Sequence, residues 1–258
     1  PNLKFYIGEL NTKTIWGMDL RPRMYAISLG QRTVTNADPR AEYVLTSHVG
    51  AEIGRPVGLH YHYGTLGQLQ HGENYATAYL RTIGLKIDQP RPFKKWPYKK
   101  GSPVKLFILA GHRNMEGERA FVQELQQLKG HQALLKSNPN IAFKYSLGGS
   151  YHVSKGWEPL GITGYYDTFG PELSFARTIT TAEPGNIAIA KFTHSGSQII
   201  DWTPEGSPAK SRHVYPKFIQ FVKQSVQELT AKGHAVEVAG IFYHVGENDM
   251  SFHPYRRD

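Results

Sequence analysis

Short apolar runs bounded by glycine, proline or asparagine recur along this chain, and between them apolar positions fall at helical spacing. Residues 3–10 (LKFYIGEL) read as a strand. Residues 21–37 place Met24, Ile27, Leu29 and Val34 at helical spacing and close on Asn36, Asp38 and Pro39. A short strand at 43–46 is followed by a loop at 50–56. A helix at 66–83 carries Leu66, Leu69, Tyr75, Tyr79, Leu80 and Ile83 largely on one side and stops at Gly84. Residues 86–103 hold Pro90, Pro92, Pro97 and Pro103 without periodicity, as a linker does. Beyond it the alternation is regular. Strands at 104–110, 141–146, 186–192 and 235–244 are separated by helices near 118–128, at 171–181 and at 213–232, with a glycine-rich loop at 148–170. Strands alternating with helices predict an α/β protein with a parallel sheet covered on both faces.

Composition narrows this picture. Apolar residues make up 40% and aromatic residues 12% of the 258 positions, values of a globular chain rather than a disordered one, and the length suits a single domain. Lys plus Arg outnumber Asp plus Glu by 30 to 21, and the net charge of +9 points to an anionic partner. Lys86, Arg91, Lys94, Lys95, Lys99 and Lys100 all fall in or beside the proline-rich stretch, so the rest is only mildly basic. No strand interleaves aromatic and basic residues as an RNA-binding sheet does, and nucleic acid is not expected. No apolar run approaches the roughly 18 residues of a membrane span, so no membrane partner is expected. Cysteine is absent, which removes disulfides and thiolate ligands and leaves the compartment open. The start at Pro1, without signal-like residues, reads as a processed product or an excerpt.

The chemistry gathers at VKLFILAGHRNMEG, residues 104–117. A buried strand there breaks at Gly111 and presents His112, Arg113 and Asn114 before helical spacing resumes. Such a turn lies at the carboxyl edge of the sheet, where α/β proteins place their sites. A nucleophile is expected in it, and Arg113 stands there instead.

Three other segments carry polar residues in comparable settings. FTHSGSQIIDW holds Gly196 after a strand. His244, Val245, Gly246, Glu247, Asn248 and Asp249 close the last strand. Val57, Gly58, Leu59 and His60 precede GQLQHG, residues 67–72. With 111–117, these four blocks resemble the SGNH hydrolases, and within them the sialate O-acetylesterase type grouped as carbohydrate esterase family 6. The resemblance implies a three-layer αβα fold with a flavodoxin-like parallel sheet and no cofactor. It also implies a carbohydrate partner and a secreted or periplasmic setting, and it leaves the oligomeric state open.

In the family the histidine block comes last, whereas here it comes first. Reading 101–258 and then 1–87 restores the family order, so the chain is expected to be a circularly permuted single domain. Residues 1–85 would then match the family's carboxyl-terminal part, 86–103 would be the linker, and 104–258 would match its amino-terminal part. Permutation is physically reasonable because domain termini often lie close together. The rival is an excerpt across two repeats, whose halves would not complete one site.

Carried over residue by residue, the resemblance implies His60 as base, Gly196 and Asn248 as oxyanion donors, and Asn114, Glu247 and Asp249 as polar support. Arg113 occupies the nucleophile position and Val57 the acid position. A guanidinium cannot accept an acyl group and valine cannot orient an imidazole, so serine esterase chemistry is not expected. The remaining parts suggest an anion site for sulfate or carboxylate around Arg113, with Gly196 N–H, Asn248, His112 and His244 nearby. A rival view pairs Arg113 with Glu247 or Asp249 and closes the site. An altered hydrolase using Glu247 and His60 is the alternative enzyme reading, and a structural element of an extracellular assembly is a third class. His60 and His62, at strand-like spacing, with His112, His194, His244 and His253 invite a metal reading. The 12 histidines include no HExxH, and no metal is expected. Glu116 and Glu247 as a glycosidase pair compete with a plain hydrogen-bonding role. Trp157, Tyr165, Tyr166, Phe169 and Trp202 either stack on sugars or complete the core.

Overall fold

The structure, a computed structural model, describes residues 3–10, 14–15, 18–19, 21–46, 62–84, 98–164, 167–207 and 213–251. Val57, His60, Tyr165, Tyr166, His253 and most of the proline-rich stretch lie outside these residues.

In chain order the elements are β1 (Phe5–Gly8), the short pair β2 (Thr14–Ile15) and β3 (Met18–Asp19), α1 (Arg21–Ala37), β4 (Ala41–Val44) and α2 (Thr65–Thr82). There follow β5 (Pro103–Gly111), α3 (Arg113–Glu116), α4 (Val122–Gln127), β6 (Asn138–Leu147), β7 (His152–Val153), β8 (Glu158–Leu160) and α5 (Glu172–Ala182). The chain continues with β9 (Asn186–Thr193), α6 (Tyr215–Ala231), β10 (Ala235–His244) and α7 (Glu247–Ser251).

One sheet runs β4-β1-β10-β5-β9-β6-β7, with β8 also on β6. Every pairing from β4 to β6 is parallel, and only β7 and β8 run antiparallel. Numbered 1 to 6 in chain order, the parallel strands β1, β4, β5, β6, β9 and β10 lie in the order 2-1-6-3-5-4, a doubly wound sheet with helices on both faces, as the expected three-layer αβα fold requires. The segments before and after the proline-rich stretch therefore share one sheet, through β1 paired with β10 in the register Phe5 to Ile241.

The alternation of side chains explains the layers. In β5, Phe107 and Leu109 face one side with Phe143, Ile189 and Phe242, where α2 and α5 supply Tyr79, Leu173, Phe175 and Ile179. Leu106, Ile108 and Ala110 face the other with Ala142, Ala188, Ala190 and Phe192, where α6 supplies Phe221 and Leu229. Continuous apolar runs such as VKLFILAG are what a strand buried on both faces requires. The helices α2 and α5 approach closely at Gly72, where a β-carbon would sit 2.3 Å from the Pro171 carbonyl oxygen. At the β4 side a small third cluster joins Leu10, Met24 and Met250, and Arg23 donates to the Met250 carbonyl at 2.7 Å.

Several expected boundaries shift. The first strand is shorter than 3–10, and β4 begins before Tyr43, so that Ala41 pairs with Phe5. The helix expected near 118–128 is shorter, α4 at Val122–Gln127, and a separate single turn, α3, precedes it and ends where Gly117 takes a left-handed φ of 93°. The stretch 148–170 is not one loop: β7 and β8 return onto β6, held where Ser154 N–H donates to the Tyr145 carbonyl and Tyr145 N–H to Ser154 Oγ. Strands of two and three residues are too short to show a period. At the end of the proline-rich stretch, Tyr98 is buried, and its hydroxyl donates to the Ile187 carbonyl and accepts Ala142 N–H at 2.8 Å. Tyr98→Phe is expected to cost about 1–3 kcal/mol, since it strands a buried donor and a buried acceptor; urea unfolding of the variant checks this.

Candidate functional site

The parallel strands β5, β9, β10 and β1 end along one edge, so the turns after Gly111, Thr193, His244 and Gly8 lie side by side. Backbone bonds tie these turns together: His112 N–H donates to the His244 carbonyl at 2.9 Å and His194 N–H to the Gly111 carbonyl at 3.0 Å. The structure thus brings His112, Arg113, Asn114, Gly196, His244, Glu247 and Asn248 into one neighbourhood, though not all into one open cavity.

Glu247 is the centre of the buried half. It opens α7 and has no exposed surface. Its Oε1 lies 3.4 Å from His112 Nδ1 and 3.9 Å from His244 Nε2, and it accepts Asn114 N–H at 3.3 Å. Burial alone would push this carboxyl up, but the two imidazoles and the surrounding donors outweigh it and hold the group at about 2. Gly196 N–H donates to His112 Nε2 at 2.8 Å, which leaves the His112 proton on Nδ1, facing Glu247. The expected oxyanion donor Gly196 is therefore already engaged by His112.

Asn114 ties the segment following residue 61 to this turn. Its Oδ1 accepts Tyr63 N–H at 2.8 Å and its carbonyl accepts Gln68 Nε2 at 2.6 Å. From α2, His71 packs edge-on against His244 with ring centres 4.7 Å apart, and against Tyr75 at 4.5 Å. Burial lowers the pKa of both histidines. Asp249 points elsewhere and accepts Ile199 N–H at 3.1 and 3.2 Å, and its burial raises it to about 6.

Arg113 turns away from this buried group. Its Nε lies 3.0 Å from Glu118 Oε2, so the expected pairing with Glu247 or Asp249 is corrected: a carboxylate five residues on, at the surface, competes successfully with two that are already hydrogen-bonded. The side chain is 36% exposed and lines a cavity of about 500 Å³ together with Glu118, Arg119, Phe121, Tyr151 and Ser195. Glu116 closes the floor. One oxygen of its buried carboxylate accepts Gly148 N–H, Thr193 Oγ1 and Ser195 Oγ at 3.1, 2.8 and 3.0 Å, so it ties α3 to the turns after β6 and β9 in the plain hydrogen-bonding role.

Among the aromatic candidates, Phe169 and Trp202 are core residues, and Trp157 is partly buried against the cluster under α6. The exposed aromatic of the cavity is Tyr151, which the sequence does not single out because neither period nor motif marks it. Arg119 and Glu118 are missed for the same reason. Among the described residues no three His, Asp or Glu side chains are grouped to hold a metal ion. No helix of the described residues is long and apolar enough to cross a membrane.

Comparison with known proteins adds the family. No curated protein matches the chain. A solved structure of an Arabidopsis thaliana protein aligns with 20% identity and a TM-score of 0.38, covering 57% of this chain and 59% of that one, less than two thirds of its length. The family model described as carbohydrate esterase, sialic acid-specific acetylesterase, matches residues 103–255, more than half of the sequence. That span holds the turn at 111–117, Gly196 and the 244–249 segment, and the chain belongs to this carbohydrate esterase family.

Proposed function

We propose that this domain binds a glycan in the Arg113 cavity and does not hydrolyse acetyl esters through a serine. The observation that carries the reading is the position of Arg113: the residue after β5 where an esterase nucleophile is expected is a guanidinium that lines an open cavity. The cavity mixes arginine donors, carboxylate acceptors, a hydroxyl and an aromatic ring, a set suited to sugar hydroxyls and to an acidic or sulfated substituent. Val57 at the expected acid position fits the same loss. Glu247 as an acid/base group, the alternative reading with His60, has less support, because its carboxylate is fully buried and committed to His112 and Asn114.

We also read residues 3–84 and 104–251 as one domain in permuted order. The parallel pairing of β1 with β10 and the Asn114 bonds to Tyr63 and Gln68 support this over an excerpt across two repeats.

The test is turnover of acetylated glycans and nitrophenyl acetate, with labelling by a fluorophosphonate. Wild-type protein is expected to show neither turnover nor labelling, and Arg113→Ala to weaken glycan binding about 10-fold or more, the equivalent of one charged hydrogen bond. Activity appearing in an Arg113→Ser, Val57→Asp protein would support the lost-triad reading. Labelling of the wild type at a serine would overturn it, and so would glycan turnover that disappears in Glu247→Gln.

A further inference from the structure

The loop between β6 and β7 combines unusual backbone with an exposed aromatic side chain. Gly148, Gly149 and Ser150 take φ values of 60, 74 and 81°, three successive residues in the left-handed region. For Ser150 that conformation costs about 1–2 kcal/mol, and such a cost persists where surrounding structure over-determines it. Here it does. Gly148 N–H donates to Glu116 and Thr193 Oγ1, Gly149 N–H to the Thr193 carbonyl at 3.0 Å, and Ser150 and Tyr151 N–H both to the Leu147 carbonyl at 3.1 and 3.0 Å. The outcome of all this fixing is Tyr151, 85% exposed at the wall of the cavity. A large ring held outward by a rigid, strained turn contributes little to the core, and its rigidity lowers the entropy lost when a ligand settles on it.

Arg119 lies on the same cavity. Its guanidinium sits 5.3 Å from the centre of the Phe121 ring and forms no ion pair among the described residues, whereas Arg113 is already paired with Glu118. Among the described residues it lies over an aromatic ring rather than in an ion pair, placed to take a carboxylate in a bidentate grip.

From this arrangement we infer that Tyr151 is a stacking platform for a pyranose ring and Arg119 the group that takes the ring's carboxylate, so that the ligand is a glycan containing uronic acid-type sugars. The inference rests on the cavity being the glycan site proposed above. The apolar C–H face of the sugar lies on the tyrosine, the carboxylate reaches Arg119, and the hydroxyls face Glu118 and Ser195.

The test measures binding of full-length protein to an array of neutral, carboxylated and sulfated glycans, then titrates the best carboxylated binder and its carboxyl-reduced counterpart by calorimetry. Tyr151→Ala is expected to weaken both ligands about 10-fold, Tyr151→Phe to retain binding, and Arg119→Gln to remove about 10-fold of preference for the acid over the neutral sugar. Unchanged binding in Tyr151→Ala, with loss in Arg113→Ala, overturns the platform and leaves the cavity as the glycan site. Equal weakening of both ligands by Arg119→Gln, or a preference for sulfate alone, overturns the carboxylate assignment. No binding by the wild type to any glycan, or binding indifferent to Arg113→Ala as well, overturns the glycan site itself. Tyr151 is exposed, so circular dichroism of its variants is expected to match the wild type.

Discussion

Lys191→Ala should be among the most destabilising single changes in this protein, costing about 3–5 kcal/mol, the range for removing one partner of a buried ion pair. Lys191 rises from β9 with no exposed surface, and its ammonium lies 2.6 Å from Glu172 Oε2 and 2.9 Å from the Glu116 carbonyl. Glu172 sits in the first turn of α5, is equally buried, and its other oxygen accepts Gly170 N–H at 3.0 Å. Alanine would leave a carboxylate uncompensated in the interior and a carbonyl at the end of α3 without its donor. The pair itself need not be a net gain, because both ions were desolvated to make it. Lys191→Met with Glu172→Gln is therefore expected to recover most of the loss, since the amide still accepts Gly170 N–H and no charge is left alone. Urea unfolding of the single and double variants tests both statements, and a double variant as unstable as the single would show that the charges, not their imbalance, hold this junction.

The same junction shows what a sequence reading can and cannot reach. Strands such as β5 and β9 were legible because each is a mostly apolar run, broken only by single lysines, whose ends are marked by glycine or a polar residue, and the helices α1 and α2 were legible from spacing and stop signals. The site turn was legible because Gly111 and Asn114 keep the family pattern around Arg113. The Lys191–Glu172 pair was not, since nothing in IAIAKFT says whether the lysine is inside, and a buried charge is recognisable only once its partner from another element is in place. The direction of Arg113 was hidden likewise: the motifs offered two carboxylates, Glu247 and Asp249, and the choice of Glu118, just outside them, follows from those two being occupied by other donors. Tyr151 escaped because loops are read by composition, and a three-residue run of positive φ ending in an exposed ring leaves no periodic trace.

The second large effect is on pH. Glu247 is held at about 2 in the folded protein, against an ordinary glutamate value near 4.5. A depressed carboxylate contributes stability that is fully present above the unfolded value and is lost as pH falls through the folded one, here between about 4.5 and 2. The shift corresponds to about 3 kcal/mol at about 1.4 kcal/mol per pH unit. His71 and His244 are also depressed, by burial first, so their contribution is full above about 6.5 and declines as pH falls below it. Asp249 has the opposite sign: raised to about 6 by burial, it favours the folded state at low pH and loses that contribution as pH rises from about 4 through 6. Between 6.5 and 4 the aspartate and the histidines thus oppose one another, and the steep decline is expected only below 4.5, where Glu247 of the unfolded chain takes up a proton that the folded protein, holding it at about 2, still refuses. Urea unfolding at pH 7, 5.5, 4 and 3 should show that profile. In Glu247→Gln the fall between 4.5 and 3 should flatten, and stability at pH 7 should drop, because the amide keeps an acceptor for Asn114 N–H but not the charge that His112 and His244 face. A Glu247→Gln protein that still loses stability as steeply as wild type below pH 4.5 would assign the acid sensitivity to other carboxylates and remove Glu247 from the centre of this site.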